Sequence, residues 1–185
     1  MMQAKKKEVR KQVRVRVKEL SENVKKQQAD AVFVKIETLP EFKNANIIMH
    51  YWSLSDEILT HECIKKWAGE KQILLPVIEG EELIIREFTG IENMQPDPRF
   101  SIPEPTGEAI QNPRPDIIII PGVAFDSNCN RLGRGKGFYD RFLAKHQLNV
   151  ILIGVCFDEQ IVPEVPTESH DFKLYMVFSQ SNKFQ

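Results

Sequence analysis

The sequence DIIIIPG, residues 116–122, contains four consecutive isoleucines and ends in proline and glycine. Such a continuous β-branched segment is typical of a central strand that is covered on both faces. The segment VILIGVCF, residues 150–157, repeats this pattern, and residues 138–146 between the two favour a helix. Strand, helix and apolar strand in this order predict parallel strands joined by right-handed crossovers. We therefore expect a three-layer α/β fold with a mostly parallel central sheet flanked by helices, as a single domain over residues 1–185.

The flanking sequence supplies further elements of this fold. Apolar residues at helical spacing predict an amphipathic first helix over residues 5–20, and a second helix over residues 24–39 is expected to end before Pro40. Thr60 is a candidate N-cap for a helix that runs through Trp67. Pro76 favours an edge or a strand end within its segment. The predicted strands cover residues 46–51, 72–78, 82–88 and 175–179.

A proline-rich stretch precedes the central strand. Residues 93–115 contain six prolines and few consecutive apolar residues. Because proline lacks an N–H group, such a stretch cannot sustain a regular helix or ladder. We expect a long surface loop, and loops of this length in a compact domain are usually functional.

Composition restricts the classes of partner. The 25 basic and 26 acidic residues give a net charge of −1, so no overall field attracts nucleic acid or an anionic membrane. The apolar runs are far shorter than the ~20 residues that span a bilayer. The three cysteines are widely separated and lack zinc-site spacing, which indicates reduced thiols. We expect a cytoplasmic monomer that binds neither nucleic acid nor membrane.

A glycine-rich loop precedes the predicted helix at residues 138–146. It reads GRGKG over residues 133–137 and follows Arg131. Alternate glycines allow backbone N–H groups to approach phosphate oxygens, while the helix N-terminus and the basic side chains add positive charge. Asp140 is a candidate ligand for a magnesium ion that bridges such phosphates. The spacing matches neither the P-loop nor the dinucleotide-binding motif.

Other interpretations of this loop remain open on spacing alone. It is equally compatible with a flexible, solvated turn whose charges bind nothing. Phe138 and Tyr139 are compatible with core positions at the start of the helix as well as with the wall of a pocket.

The whole segment around the loop resembles a known family. The sequence PGVAFDSNCNRLGRGKGFYDRFL, residues 121–143, is similar to the signature of the 5-formyltetrahydrofolate cyclo-ligase family. Further stretches agree in order, and the resemblance is weak only over residues 22–44. The agreeing stretches are KKEVRKQVRVRVKELS (6–21), YWSLSDEILT (51–60), LLPVI (74–78), IPEP (102–105) and VPTESHD (165–171).

The resemblance implies an ATP- and Mg²⁺-dependent conversion of 5-formyltetrahydrofolate into 5,10-methenyltetrahydrofolate. The formyl oxygen attacks the γ-phosphate of ATP, and N10 then closes the ring as phosphate leaves. The implied partners are ATP and the folate, with or without a polyglutamate tail. Phosphoryl transfer needs positioning and charge neutralisation more than a covalent nucleophile, which fits the glycine loop.

The resemblance also implies residue roles. Arg134, Lys136 and Tyr139 correspond to catalytic positions, and Asp140 and Asp171 to positions linked to magnesium. The implied ATP-binding residues are Lys6, Arg10, Arg131, Gly133, Arg134, Gly135, Lys136, Gly137, Phe138 and Tyr139. The implied folate-binding residues are Trp52, Glu57, Arg134, Gly135, Lys136, Gly137 and Phe138.

The chain departs from the family pattern at two places. Tyrosine is commoner in relatives at the position of Phe138, and many relatives carry a further aspartate three or four residues after Asp171, where this chain has Leu174 and Tyr175. Among the histidines, only His170 adjoins a proposed site residue.

Two other functions are compatible with the same residues. A non-catalytic module that binds RNA or another anion would use the basic first helix and the glycine loop on phosphate groups, with salt-dependent affinity. A different enzyme on the same scaffold, such as a phosphosugar isomerase or an acyl-group transferase, is the third hypothesis, because a fold does not fix its chemistry.

Overall fold

The computed structural model describes residues 2–97, 102–147, 150–168 and 171–185. The helices are α1 (Met2–Lys18), α2 (Glu22–Glu37), α3 (Pro40–Asn44), α4 (His61–Trp67) and α5 (Phe138–His146). The strands are β1 (Ile47–Met49), β2 (Gln72–Glu79), β3 (Glu82–Glu87), β4 (Met94–Pro96), β5 (Pro103–Pro105), β6 (Ile117–Ile120), β7 (Ala124–Phe125), β8 (Arg131–Leu132), β9 (Ile151–Val155), β10 (Met176–Phe178) and β11 (Lys183–Phe184).

A seven-stranded sheet forms the centre, in the order β11-β10-β9-β6-β1-β2-β3. The five inner strands are parallel to their neighbours, whereas β3 and β11 pair antiparallel at the two edges. The predicted α/β class with a mostly parallel sheet is therefore confirmed.

The isoleucines of β6 explain the central position of that strand. All four side chains are fully buried. Because side chains alternate along a strand, Ile117 and Ile119 enter one hydrophobic cluster, and Ile118 and Ile120 enter the other. Burying each side chain contributes about 1.5–3 kcal/mol. The strand is stable only with a layer on each face.

Helices supply those two layers. Val13 of α1, Ile36 of α2 and Trp67 of α4 belong to the cluster on one face of the sheet. Phe142 and Leu143 of α5 belong to the cluster on the other face. Helix α1 therefore lies on one face of the sheet and α5 on the other, and the glycine loop directly precedes α5.

One local prediction was wrong: within residues 93–115, β4 and β5 form an antiparallel pair instead of continuous loop. Helix α2 ends at Glu37, before Pro40 as predicted, and Pro40 occupies the first turn of the separate helix α3, where a missing N–H is tolerated. Pro76 lies inside β2 but beyond Leu74, the last residue of β2 in register with β1, so it occupies a local edge of the ladder. Along the described chain, no helix combines the length and apolarity needed to cross a membrane.

Candidate active site

The glycine loop, residues 133–137, connects β8 to α5. Gly135 has φ of +98° and Gly137 has φ of +67°, conformations that side chains rarely adopt. Gly137 is also the N-cap of α5, with no side-chain cap. The loop thus presents backbone groups at the start of a helix, where partial positive charge accumulates.

Helix α1 brings Arg10 to this loop and Lys6 to the neighbouring carboxylates of Glu168 and Asp171. Lys6 and Arg10 are four residues apart and therefore share a helical face. The Arg10 Nε donates to the Gly133 carbonyl at 2.8 Å. The guanidinium also lies 3.4 Å from where a Cβ on Gly135 would be, so a larger residue there would crowd it.

Lys6 is held by two carboxylates. Its buried ammonium donates to Glu168 Oε2 at 2.8 Å and to Asp171 Oδ2 at 2.7 Å. Burial disfavours the charge, but the hydrogen bonds to Asp171 and Glu168 outweigh it and raise the pKa of Lys6. Lys6 is therefore a fixed cation beside a proposed metal-binding carboxylate.

Arg134 joins the glycine loop to the segment after β1. Its Nε donates to Glu57 Oε1 at 3.0 Å, and its Nη2 pairs with Asp56. Glu57 is 7% exposed, and its other oxygen accepts from the Leu54 N–H at 2.9 Å. Burial opposes ionisation of Asp56, but the Arg134 guanidinium holds its pKa below the usual value.

Arg131 and Asp140 neutralise each other. The Arg131 side chain is only 6% exposed and donates to Asp140 Oδ1 at 2.8 Å and to the Pro121 carbonyl at 3.1 Å. Its Nε is buried without a hydrogen-bond partner in the part of the chain that the structure describes. Arg131 thus fixes the first turn of α5 rather than presenting a free guanidinium.

Lys136 and Tyr139 are the contrasting pair of predicted catalytic residues. Lys136 is exposed, and its ammonium forms no ion pair with any described residue. Burial raises the pKa of the Tyr139 hydroxyl, and the charge of Glu57 raises it further, so the phenol stays protonated. Lys136 can therefore meet an anion without breaking an existing ion pair.

Trp52 forms an aromatic stack at the start of the segment that holds Glu57. Its ring lies 4.1 Å from that of His61 at an interplanar angle of 15°, and 5.9 Å from that of Phe88. His61 is itself held by the Ser53 carbonyl at 3.1 Å. Apolar walls beside one buried carboxylate suit a flat heterocycle with few polar anchors.

The donor set fits magnesium carried by phosphate groups. In the described ranges no group of three or more His, Cys, Asp or Glu residues is placed to hold a metal. Asp140 and Asp171 each already face a basic side chain. Magnesium commonly binds through one or two carboxylates, phosphate oxygens and waters, which these residues permit. His170 lies outside the described residues.

Two carboxylates of this region were missed in the sequence. Asp56 pairs with Arg134, and Glu168 pairs with Lys6. Both lie within stretches similar to the family, but charge and spacing alone do not show which cation each one faces. Only the fold brings together pairs that are 78 and 162 positions apart in the sequence.

The region beside Arg134 offers little internal space. A cavity of about 10 Å³ lies beside Arg134, Asp56 and Arg14, which is too small for a nucleotide or a folate. A groove of about 680 Å³ lies elsewhere, between α1 and residues 162–164. A ligand that binds Arg134 must therefore compete with Asp56 and Glu57 for the guanidinium.

Comparison with known proteins places the chain among folate enzymes. Residues 2–180 match the model of the 5-formyltetrahydrofolate cyclo-ligase family. The chain is 32% identical to the 5-formyltetrahydrofolate cyclo-ligase of Haemophilus influenzae over 90% of this chain and 95% of that protein. It is 28% identical to the mouse enzyme of that name, over 90% and 89%. The solved structure of Aquifex aeolicus 5,10-methenyltetrahydrofolate synthetase superimposes with a TM-score of 0.86 at 29% identity, covering 97% of this chain and 92% of that one.

Proposed function

This chain belongs to the 5-formyltetrahydrofolate cyclo-ligase family and has its cyclo-ligase activity, and we propose that it drives ring closure with MgATP at the glycine loop. The product is 5,10-methenyltetrahydrofolate, and the proposed by-products are ADP and phosphate. The observation that carries the ATP site is the contact of α1 with the loop, through Arg10 and Gly133.

The proposed nucleotide site combines basic side chains that are held by internal contacts with one exposed side chain, Lys136. Arg10 lies against the loop backbone, and Lys6 is beside Asp171. Lys136 is free to contact the transferring phosphoryl group, where charge builds in the transition state. Magnesium, when bound, neutralises phosphate charge, with Asp140 and Asp171 as the proposed carboxylate ligands. Arg131 supports this site by holding Asp140.

The proposed folate site lies on the other side of Arg134. Glu57 accepts hydrogen bonds from the N–H groups of the pterin, and Trp52 with Phe138 supplies apolar contact area. The Arg134 guanidinium is bonded to Glu57, so the same side chain contacts both substrates. Tyr139, kept protonated by burial, donates a hydrogen bond rather than acting as a base.

The reaction then follows from positioning. The formyl oxygen attacks the γ-phosphorus, the bond to the β-phosphate oxygen breaks, and ADP leaves. N10 attacks the activated formyl carbon and loses its proton, and the carbon–oxygen bond breaks so that phosphate leaves together with that proton. The substrate with or without a polyglutamate tail and the monomeric state are parts of the same proposal.

One experiment tests the ATP requirement. Purified protein is mixed with 5-formyltetrahydrofolate and MgATP, while the near-ultraviolet absorbance of the methenyl product and the release of phosphate are followed together. We expect equal amounts of both products and no reaction when ATP or magnesium is omitted. Product without ATP would overturn the proposal, and salt-dependent RNA binding without turnover would favour the RNA-binding alternative.

A further inference from the structure

Arg141 contacts the glycine loop from within α5. Its Nη1 donates to the Lys136 carbonyl at 2.8 Å, and its guanidinium carbon lies 5.3 Å from the centroid of the Phe138 ring. A Cβ on Gly137 would lie 3.0 Å from the same Nη1. Three consecutive residues of the proposed site therefore adjoin this one side chain.

The second terminal nitrogen of the Arg141 guanidinium binds the hairpin at the edge of the sheet. The Arg141 Nη2 donates to the Glu81 carbonyl at 2.7 Å, in the turn that joins β2 to β3. A planar guanidinium can bridge two carbonyls in fixed geometry, whereas a lysine ammonium on its flexible stem does not hold them in the same way. Arg141 thereby connects the glycine loop to the β2–β3 hairpin at the edge of the sheet.

The contact with Lys136 also sets the direction of a backbone donor. In a trans peptide the C=O and the following N–H point in opposite directions. Because the Lys136 carbonyl points to Arg141, the Gly137 N–H points away from it. The Arg141 backbone N–H bonds the Gly137 carbonyl at 3.0 Å, which fixes the next peptide as well.

We propose that Arg141 is a positioning residue that orders the Lys136–Phe138 segment of the glycine loop for MgATP. It acts through the backbone of Lys136 and the ring of Phe138 and does not touch the reacting atoms. The role for ATP rests on the proposed function above.

Lys145 offers a matched control on the same helix. Its ammonium pairs with Glu82 at 2.7 Å, so it too ties α5 to the β2–β3 hairpin. Both side chains of that pair are more than half exposed, and such surface pairs contribute little to stability. Among the described residues, Lys145 forms no hydrogen bond or ion pair with the glycine loop. A Lys145 variant therefore loses only a contact between α5 and the hairpin, whereas an Arg141 variant also loses a contact with the glycine loop.

The test compares Arg141→Gln, Arg141→Lys and Lys145→Gln with the wild-type chain. Steady-state kinetics give KM and kcat with MgATP and with the folate, hydrogen–deuterium exchange of residues 133–138 reports loop order, and thermal unfolding reports global stability. We expect both Arg141 variants to raise the KM for MgATP about tenfold, equivalent to ~1.4 kcal/mol. The folate KM should rise less than the KM for MgATP, because Phe138 is one of several folate contacts, while the melting temperature should stay close to wild type and exchange in the loop should become faster.

The Lys145→Gln variant should match the wild-type chain in kinetics and exchange. Equal behaviour of the Arg141 and Lys145 variants in both measurements would overturn the proposal. Full function of Arg141→Lys would show that charge alone suffices and would also overturn it. If the wild-type chain made product without ATP, the proposed function would fail, while loop exchange would still decide whether Arg141 orders the loop.

Discussion

At the scale of single residues, most basic side chains of the site are already paired within the protein. Lys6, Arg131 and Arg134 each face one or two carboxylates. These internal anions hold the cations in place, but a phosphate group must compete with them. Lys136 differs because it is exposed and has no ion pair with the described residues. It is therefore the side chain with the least to lose on binding phosphate.

Replacing Lys136 by alanine tests this difference. Because no internal contact of the ammonium is removed, we expect unchanged thermal stability and a loss of roughly a hundredfold in kcat/KM for ATP, as when one donor to a developing negative charge is deleted. Product absorbance at varied ATP measures the loss.

Glu57→Gln is the contrasting variant for the other substrate. It removes the charge that faces Arg134, and we expect the KM for 5-formyltetrahydrofolate to rise more than that for ATP.

A fully active Lys136→Ala variant with wild-type ATP kinetics would exclude Lys136 from the phosphate site.

At the scale of elements, the glycine loop is the unit whose function depends on backbone shape. Alternate glycines in the sequence predicted close approach of an anion, and the structure adds that two of the three have positive φ. It also adds the neighbours that sequence spacing does not show. The carbonyl of Gly133 binds Arg10 from a helix more than 120 positions earlier, and that of Lys136 binds Arg141.

Gly135→Ala tests the backbone requirement. At φ of +98° a Cβ introduces strain, and the new atom would lie 3.4 Å from the Arg10 guanidinium. We expect the free energy of unfolding in urea to fall by about 1–3 kcal/mol, with a raised KM for ATP. Gly107→Ala is the control, because its φ is not positive and a Cβ there would meet nothing within 4 Å. Equal effects of the two substitutions would contradict a conformational role for Gly135.

At the scale of the whole molecule, strong patterns predicted the layers and the edge strand β3, whereas the shortest strands were not predicted. The central strand β6 was predicted correctly because a strand that is buried on both faces has a continuous apolar sequence, here four isoleucines. The two-residue strands β7, β8 and β11 carry no such periodicity, since their pairing depends on partners supplied by the fold. Likewise, Lys6 and Arg10 were assigned to the site through family resemblance, whereas their spacing alone suits a solvated surface.

The buried histidine His50 makes the stability of the whole fold sensitive to acid. It is fully buried beside the rings of Phe33 and Trp67, and its Nδ1 accepts from the Tyr51 N–H at 2.8 Å. Its Nε2 faces the Cys63 thiol at 3.6 Å. Burial is the main cause that lowers its pKa from 6.5 to about 3, and the charge of His61 contributes to the shift.

Below pH 6.5 the unfolded chain therefore binds a proton at His50 that the folded chain does not take up until about pH 3. The contribution of neutral His50 to the free energy of unfolding is fully present above pH 6.5. It is lost as the pH falls from 6.5 towards 3. We expect His50 to account for about 1.4 kcal/mol of lost unfolding free energy by pH 5.5. Urea unfolding between pH 7.5 and 5.5 measures the slope, and His50→Gln, whose amide oxygen can still accept a backbone hydrogen bond, should flatten it.

The pKa values of His61 and His146 are also lowered by burial, so His61→Gln and His146→Gln are the matched controls in the same pH range. These two side chains are less buried than His50 and should each account for a smaller part of the slope. The slope, rather than the absolute stability of each variant, identifies the titrating group, because a substitution in the core changes stability at every pH. An unchanged slope in His50→Gln would show that His50 takes up its proton in the folded chain as readily as in the unfolded one.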